Sequence, residues 1–98
     1  DKHKVLTPGY SPIEFYSQEA EQGPYSDIYS LAAILYYFCT GKLPIEATDR
    51  IIEDNLPSVK RLTTGPEKYL NDFIMRNLSL AAEKRDQSLT AFRANLWT

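Results

Sequence analysis

The chain has 98 residues, of which 43% are hydrophobic and 24% charged, and its formal net charge is −2. This length predicts one domain with a small core. The charge gives no basic field that would favour nucleic acid or an anionic membrane surface. A single cysteine, Cys39, excludes an internal disulfide, and a single histidine, His3, leaves no histidine–cysteine metal cluster. With no signal-like apolar stretch at the start, these features favour a reducing setting, and we expect a cytoplasmic protein.

The first element predicted along the chain is a turn followed by one short helix. Residues 7–15 read TPGYSPIEF and combine two prolines with a glycine. Ser11 fits a helix cap, Pro12 suits the first turn, and Glu14 completes a capping box three residues after the cap. The glycine–proline pair at 23–24 stops this helix, so it is short.

Residues 25–41 predict a longer, central helix. The run from Ile28 to Cys39 is almost entirely apolar, and a helix that is apolar all round is expected to be buried on every side. The run is shorter than the roughly 20 residues that a bilayer-spanning helix needs. Ser26 or Asp27 can cap this helix, and Gly41 can end it.

Residues 42–98 predict three further helices. A short helix lies around residues 50–52 and ends before Pro57. Residues 64–67 fit a second capping box, and Ser88 can cap a last helix. The apolar faces of the two longer helices consist of Leu70, Phe73, Ile74 and Leu78, and of Leu89, Phe92 and Leu96. Because no run shows the alternation of a strand, the sequence predicts an all-α fold.

Four motifs occur in an order and spacing that one known family shares. Thr7-Pro8-Gly9-Tyr10, with Glu14 four residues later, is similar to Gly-Thr-x-x-Tyr-x-Ala-Pro-Glu. Residues 26–32 are similar to Ser-Asp-Val-Trp/Tyr-Ser-Leu-Gly, residues 35–44 to LYELLTGKPP, and residues 84–88 to KRPQS. Together they resemble the C-terminal part of the large lobe of a eukaryotic-like, bacterial-type Ser/Thr protein kinase.

The resemblance implies that the whole chain is a helical subdomain of the protein-kinase fold. Residues 1–24 would contain the end of the activation segment and a short helix. Residues 25–41 would form the central buried helix, and residues 42–98 the C-terminal helices.

The resemblance also assigns roles to individual residues. Thr7, Pro8, Gly9 and Tyr10 would bind the peptide substrate beside the phosphorylated residue. Glu14 would form an ion pair with Arg85, and Asp27 would cap the central helix. Neither a catalytic residue nor a metal ligand is expected in this chain.

The chain does not contain the motifs with which kinases bind ATP and magnesium: the Gly-rich loop, Val-Ala-Ile-Lys, His-Arg-Asp and Asp-Phe-Gly. The resemblance therefore implies a longer parent that would use ATP and Mg²⁺, whereas the chain alone would need no cofactor and would be inactive. Its expected partners are the rest of the kinase domain and a protein or peptide substrate, with neither nucleic acid nor membrane. Alone, it is expected to self-associate, because the kinase parts that would cover the central helix are not in this chain and apolar surface near Leu31, Leu35 and Phe38 would be partly uncovered.

Two alternatives remain open. Leu6 stands where the family usually has glycine, and this favours a pseudokinase scaffold that binds proteins without transferring phosphate. The other alternative is an independent helical module for protein interaction. It leaves unexplained why Thr7, Glu14, Asp27 and Arg85 lie in register with the kinase motifs.

Overall fold

The structure, a computed structural model, describes residues 6–97, so His3 lies outside the described residues. Within that range the backbone forms five α-helices and three short 3-10 helices without any strand. The α-helices are α1 (Pro24–Thr40), α2 (Ala47–Ile52), α3 (Val59–Leu62), α4 (Asn71–Asn77) and α5 (Leu89–Leu96), and the 3-10 helices are Ile13–Tyr16, Pro66–Leu70 and Ala82–Lys84. The predicted all-α fold is confirmed.

The start of α1 differs from the prediction. Gly23 is the N-cap residue, Pro24 occupies the first turn, and the Gly23 N–H donates to the Ser26 hydroxyl at 3.3 Å. Asp27 is exposed and lies inside the first turn, near the positive end of the helix dipole. The predicted cap at Asp27 is therefore wrong, because proline at the first helical position already fixes the start. Gly41 ends the helix as predicted, with a φ of 74°.

One side of α1 forms the centre of the core. Its buried residues pack against residues from α3, α4 and α5. The rings of Phe73 on α4 and Phe92 on α5 lie 4.9 Å apart and add a tilted aromatic contact. The buried core residues are Ile28, Tyr29, Ala32, Ala33, Tyr36, Val59, Phe73, Ile74, Leu78 and Phe92.

The opposite side of α1 is exposed. Leu31 and Tyr37 are 37% and 49% exposed, and Ile34 and Phe38 are 52% and 84% exposed. The prediction that this helix is buried on every side is wrong for the described residues, because the other helices cover only one of its flanks. We call these four residues the open face of α1.

The remaining helices are short, and among those within residues 6–97 only α3 and α5 begin with a side-chain cap. The capping box predicted at residues 64–67 does not form, since the N-cap there is Gly65. α3 was not predicted, since one turn is too short to show a hydrophobic period. The predicted cap at Ser88 is present: its hydroxyl accepts a hydrogen bond from the Ala91 N–H at 3.1 Å. None of the helices within residues 6–97 is both long and apolar enough to cross a membrane.

Candidate functional site

Residues 7–10 form a tight turn, called here the platform turn. The Tyr10 N–H donates to the Thr7 carbonyl at 2.9 Å. Gly9 has a φ of 86°, and a Cβ atom there would lie 3.1 Å from the Pro44 carbonyl oxygen. Glycine is favoured at this position by both the left-handed backbone and the close packing. As a result, Thr7 and Pro8 face outwards while Gly9 is buried beneath them.

Two serine hydroxyls hold the platform turn in place. The Thr7 N–H donates to the Ser11 hydroxyl at 2.8 Å, and the Ser30 hydroxyl on α1 donates to the Tyr10 carbonyl at 2.8 Å. The capping box predicted between Ser11 and Glu14 does not form, since the hydroxyl of Ser11 turns back to Thr7. The 3-10 helix that follows begins at Ile13 instead.

The structure brings together Glu14 and Arg85, which are 71 positions apart in the sequence. Arg85 Nη1 donates to Glu14 Oε2 at 2.7 Å, and Arg85 Nη2 donates to Glu14 Oε1 at 3.1 Å. Two parallel bonds of this kind are the geometry in which a planar guanidinium meets a carboxylate. The Arg85 side chain is 0% exposed and that of Glu14 is 7% exposed, so this anchor pair is buried.

The other donors of Arg85 are also used. Its Nε donates to the Ser79 carbonyl at 2.8 Å, Nη1 to the Tyr25 carbonyl at 3.1 Å, and Nη2 to the Leu80 carbonyl at 3.1 Å. Together with the two bonds to Glu14, these occupy all the N–H donors of a guanidinium. The guanidinium carbon lies 5.0 Å from the centre of the Tyr29 ring, within range of a cation–π contact.

Glu14 receives a further hydrogen bond from the Ser26 hydroxyl, at 2.6 Å from Oε2. Burial raises the pKa of the Glu14 carboxyl, but hydrogen bonds from Arg85 and Ser26 outweigh burial and hold its pKa below the ordinary value. Glu14 is therefore bound in its charged form, and the segment that contains the platform turn is attached to both α1 and the turn before α5.

This lowered pKa predicts a loss of stability in acid. A carboxyl whose pKa is lower in the folded state stabilises the fold above its unfolded pKa of about 4.3, and this stabilisation is lost as the pH falls through the folded pKa. Between neutral pH and about pH 3 we expect the free energy of unfolding to fall less steeply in Glu14→Gln than in the unmodified chain. Hydrogen bonds from Arg50 also lower the pKa of Asp54, so part of the slope remains.

The measurement is denaturant unfolding at a series of pH values. Glu83→Gln is the matched variant, because it removes one carboxylate from an exposed position and corrects for the change in net charge. Equal slopes for Glu14→Gln and the unmodified chain would contradict the prediction.

Asp86 fixes the other side of the turn before α5, and the sequence analysis missed it. The Asp86 carboxylate accepts hydrogen bonds from Arg76 at 3.0 Å, Asn77 at 3.0 Å and Asn95 at 2.8 Å. Its N–H donates to Asn77 Oδ1 at 2.7 Å. Adjacent residues therefore hold the turn from opposite sides. Arg85 binds residues 7–16, called here the platform segment, through Glu14, and Asp86 binds α4 and α5. Only the position of Asp86 beside Arg85 could have indicated this role.

Arg50 is a second buried arginine that the sequence analysis did not identify. It is 5% exposed and forms a bidentate pair with Asp54, with N–O distances of 2.9 and 3.0 Å. Its Nη1 also donates to the Tyr29 hydroxyl at 3.0 Å and the Leu78 carbonyl at 2.7 Å. The four-residue spacing of Arg50 and Asp54 on a predicted helix was the available sequence signal.

The arrangement is suited to holding a surface in place. Within residues 6–97 no group of three or more histidine, cysteine, aspartate or glutamate side chains is placed to hold a metal ion. In the same range each buried side-chain nitrogen or oxygen has a hydrogen-bond partner. The polar contacts beneath Thr7 and Pro8 fix the backbone and leave these two residues accessible.

One of three comparisons with known proteins, the one with solved structures, supports the kinase resemblance. No protein-family model and no curated protein matches the chain. Among solved structures, the chain is similar to the one titled PpkA-294 apo form, with 37% identity and a TM-score of 0.84. The match covers 96% of this chain and 32% of that chain, so this chain spans about a third of its length. The chain has the fold of the helical C-terminal subdomain of a protein kinase.

Proposed function

We propose that the chain is the substrate-binding part of a Ser/Thr protein kinase domain. The complete domain would transfer phosphate from ATP, with Mg²⁺, to serine or threonine residues of proteins in the cytoplasm. Within it, the platform turn, Thr7 to Tyr10, would contact the peptide substrate beside the residue that receives the phosphate. This chain would supply that surface, and the preceding part of the domain would supply the nucleotide site.

The observation that carries the proposal is the contrast between the two sides of the platform segment. Thr7 and Pro8 are accessible, while the Glu14 and Arg85 side chains that hold the end of the same segment are 7% and 0% exposed. Phosphoryl transfer depends mainly on positioning and charge stabilisation, so a peptide substrate needs a rigid surface. The buried bidentate pair gives the segment this rigidity, because it joins Glu14, close to the turn, to Arg85, which is far along the chain.

The open face of α1 also supports the proposal that the chain is part of a larger kinase domain. Phe38, 84% exposed, and Ile34, 52% exposed, lie on a helix whose other side is the centre of the core. Contiguous apolar surface of this kind usually has a partner. We propose that the preceding part of the same kinase domain covers this face. The net charge of −2 gives no reason to propose a nucleic acid or membrane partner.

The proposal predicts different results for the chain alone and for the complete product of its coding sequence. Calorimetry should show no saturable binding of magnesium–ATP to the chain alone. The complete product should bind magnesium–ATP and transfer phosphate to a serine or threonine peptide. Micromolar binding of magnesium–ATP by the chain alone would contradict the proposal that the nucleotide site lies in the preceding part of the domain. A complete product that binds nucleotide without transferring phosphate would contradict the kinase activity.

A pseudokinase scaffold is the second candidate, and Leu6 is the observation that favours it. Leu6 is 48% exposed beside the platform turn, at a position where the resemblance implies glycine. A leucine side chain there leaves less room than glycine for a peptide substrate to approach the platform turn. A His-Arg-Asp loop and an Asp-Phe-Gly motif in the coding sequence upstream of residue 1, together with measured phosphate transfer, would exclude this candidate.

A further inference from the structure

Two buried arginines meet at the C-terminal end of α4. Arg50 Nη1 donates to the Leu78 carbonyl at 2.7 Å, Arg85 Nε to the Ser79 carbonyl at 2.8 Å, and Arg85 Nη2 to the Leu80 carbonyl at 3.1 Å. These carbonyls belong to Leu78, the C-cap residue of α4, and to the two residues that follow it. The two guanidinium groups therefore donate to three consecutive carbonyls. Each also pairs with a carboxylate, Arg50 with that of Asp54 and Arg85 with that of Glu14.

Tyr29 lies between these two arginines. Its side chain is fully buried, Arg85 lies 5.0 Å from the centre of its ring, and Arg50 donates to its hydroxyl at 3.0 Å. The contact through the hydroxyl fixes the direction of the ring, and the ring is the surface on which the Arg85 guanidinium lies. A change at Arg50 therefore reaches the anchor pair through one side chain.

α2, which contains Arg50, also borders the platform segment directly. The Tyr16 hydroxyl donates to Glu46 Oε2 at 3.1 Å, and the Pro44 carbonyl lies below Gly9. These contacts place the beginning of α2 against the platform segment. Arg50 lies at the far side of the same short helix, where it joins α2 to α1 and α4.

We propose that Arg50 is a positioning residue for the platform turn, acting through Tyr29 and the anchor pair of Glu14 and Arg85. This inference rests on the proposed function for the role of the turn, but the contacts that support it are independent of any substrate. Arg50 and Tyr29 together would keep the Arg85 guanidinium in the orientation that holds Glu14. The platform turn would then depend on a residue 40 positions away in sequence, counted from Tyr10 to Arg50.

The test is amide hydrogen exchange in two matched tyrosine variants. Tyr29→Phe removes the hydroxyl that Arg50 contacts and keeps the ring under Arg85. Tyr36→Phe is the control: Tyr36 is also buried on α1, and its hydroxyl donates to the Pro57 carbonyl at 2.8 Å, away from the anchor pair. The reporter is the Tyr10 N–H within the platform turn, and the reference is the Phe92 N–H at the start of α5.

In Tyr29→Phe we expect the Tyr10 amide to exchange about tenfold faster relative to Phe92, since a hydrogen bond to a charged group is lost. In Tyr36→Phe that ratio should stay unchanged. A role limited to global stability would accelerate both amides together. Equal acceleration of the Tyr10 and Phe92 amides in Tyr29→Phe, or the same selective change in both variants, would overturn the proposal.

A second variant tests the same proposal without relying on Tyr29→Phe. Arg50→Gln loses the charge and the fork geometry, and it should accelerate exchange at Tyr10 at least as much as Tyr29→Phe does. Arg93→Gln, at an exposed arginine on α5, is its control. If the Tyr10 amide is accelerated relative to Phe92 but the complete product fails to transfer phosphate, the proposed function alone is contradicted. If the Tyr10 and Phe92 amides are accelerated equally while phosphate transfer is normal, this inference alone is contradicted.

Discussion

Replacing Arg85 with alanine is expected to lower the free energy of unfolding by about 3–5 kcal/mol. The Arg85 side chain is 0% exposed and that of Glu14 is 7% exposed, so alanine leaves a buried carboxylate without its opposite charge. It also leaves the carbonyls of Ser79, Leu80 and Tyr25 without this donor. A domain of this size has a total stability of about 5–15 kcal/mol, so the loss is a large fraction. Denaturant unfolding followed by circular dichroism measures it.

Three comparisons distinguish the buried pair from an ordinary surface charge. Arg93→Ala, at an exposed position, should change the free energy of unfolding by at most about 0.5 kcal/mol. Arg85→Lys should recover little of the loss, because an ammonium group cannot match the planar fork of a guanidinium. Combining Arg85→Ala with Glu14→Gln should cost less than the sum of the single changes. A loss below about 1 kcal/mol for Arg85→Ala would show that the pair behaves as a surface ion pair.

The anchor pair could be expected from sequence only through the resemblance to kinases. Glu14 and Arg85 are 71 positions apart, and no periodicity or capping rule relates residues at that distance. Local rules succeeded at Gly41, where the positive φ favours glycine, and at Ser88, whose hydroxyl caps α5. They failed at Ser11 and Asp27, since a short polar side chain near a helix start satisfies the cap pattern whether or not its oxygen is used there.

Arg50 and Asp86 were missed for a related reason. Charged residues in polar stretches are mostly exposed, so their types alone predict a solvated surface. Arg50 is buried where α2 meets α1 and α4, and Asp86 where the turn before α5 meets α4 and α5, so both burials are properties of the tertiary structure. The apolar pattern of α1 does not show which side is exposed, because an apolar residue does not specify which neighbour covers it. The resemblance to kinases did predict uncovered surface, correctly at Leu31 and Phe38 but not at Leu35, which packs against the core.

The last prediction concerns the open face of α1. Leu31, Ile34 and Phe38 follow the three- and four-residue spacing that places side chains along one stripe of a helix. With Tyr37 beside them, they form a strip of apolar surface with exposures from 37% to 84%. We expect the chain alone to self-associate by packing this strip against the same strip of a second copy. Under the proposed function, the preceding part of the kinase domain would occupy that surface instead.

Sedimentation equilibrium of the chain alone should therefore show a concentration-dependent dimer. Because the strip packs against its own copy, Phe38→Glu removes two large apolar side chains from the contact, and the dissociation constant of the dimer should rise roughly 100-fold or more. Ile52→Glu is the matched control, because Ile52 is 86% exposed but lies on α2, away from the strip. A monomer at high concentration would contradict the prediction, and an equal effect of Ile52→Glu would place the contact elsewhere. Because α1 packs its other side into the core, a dimer that forms through Phe38 leaves the core and the anchor pair intact, so circular dichroism of Phe38→Glu should match that of the unmodified chain.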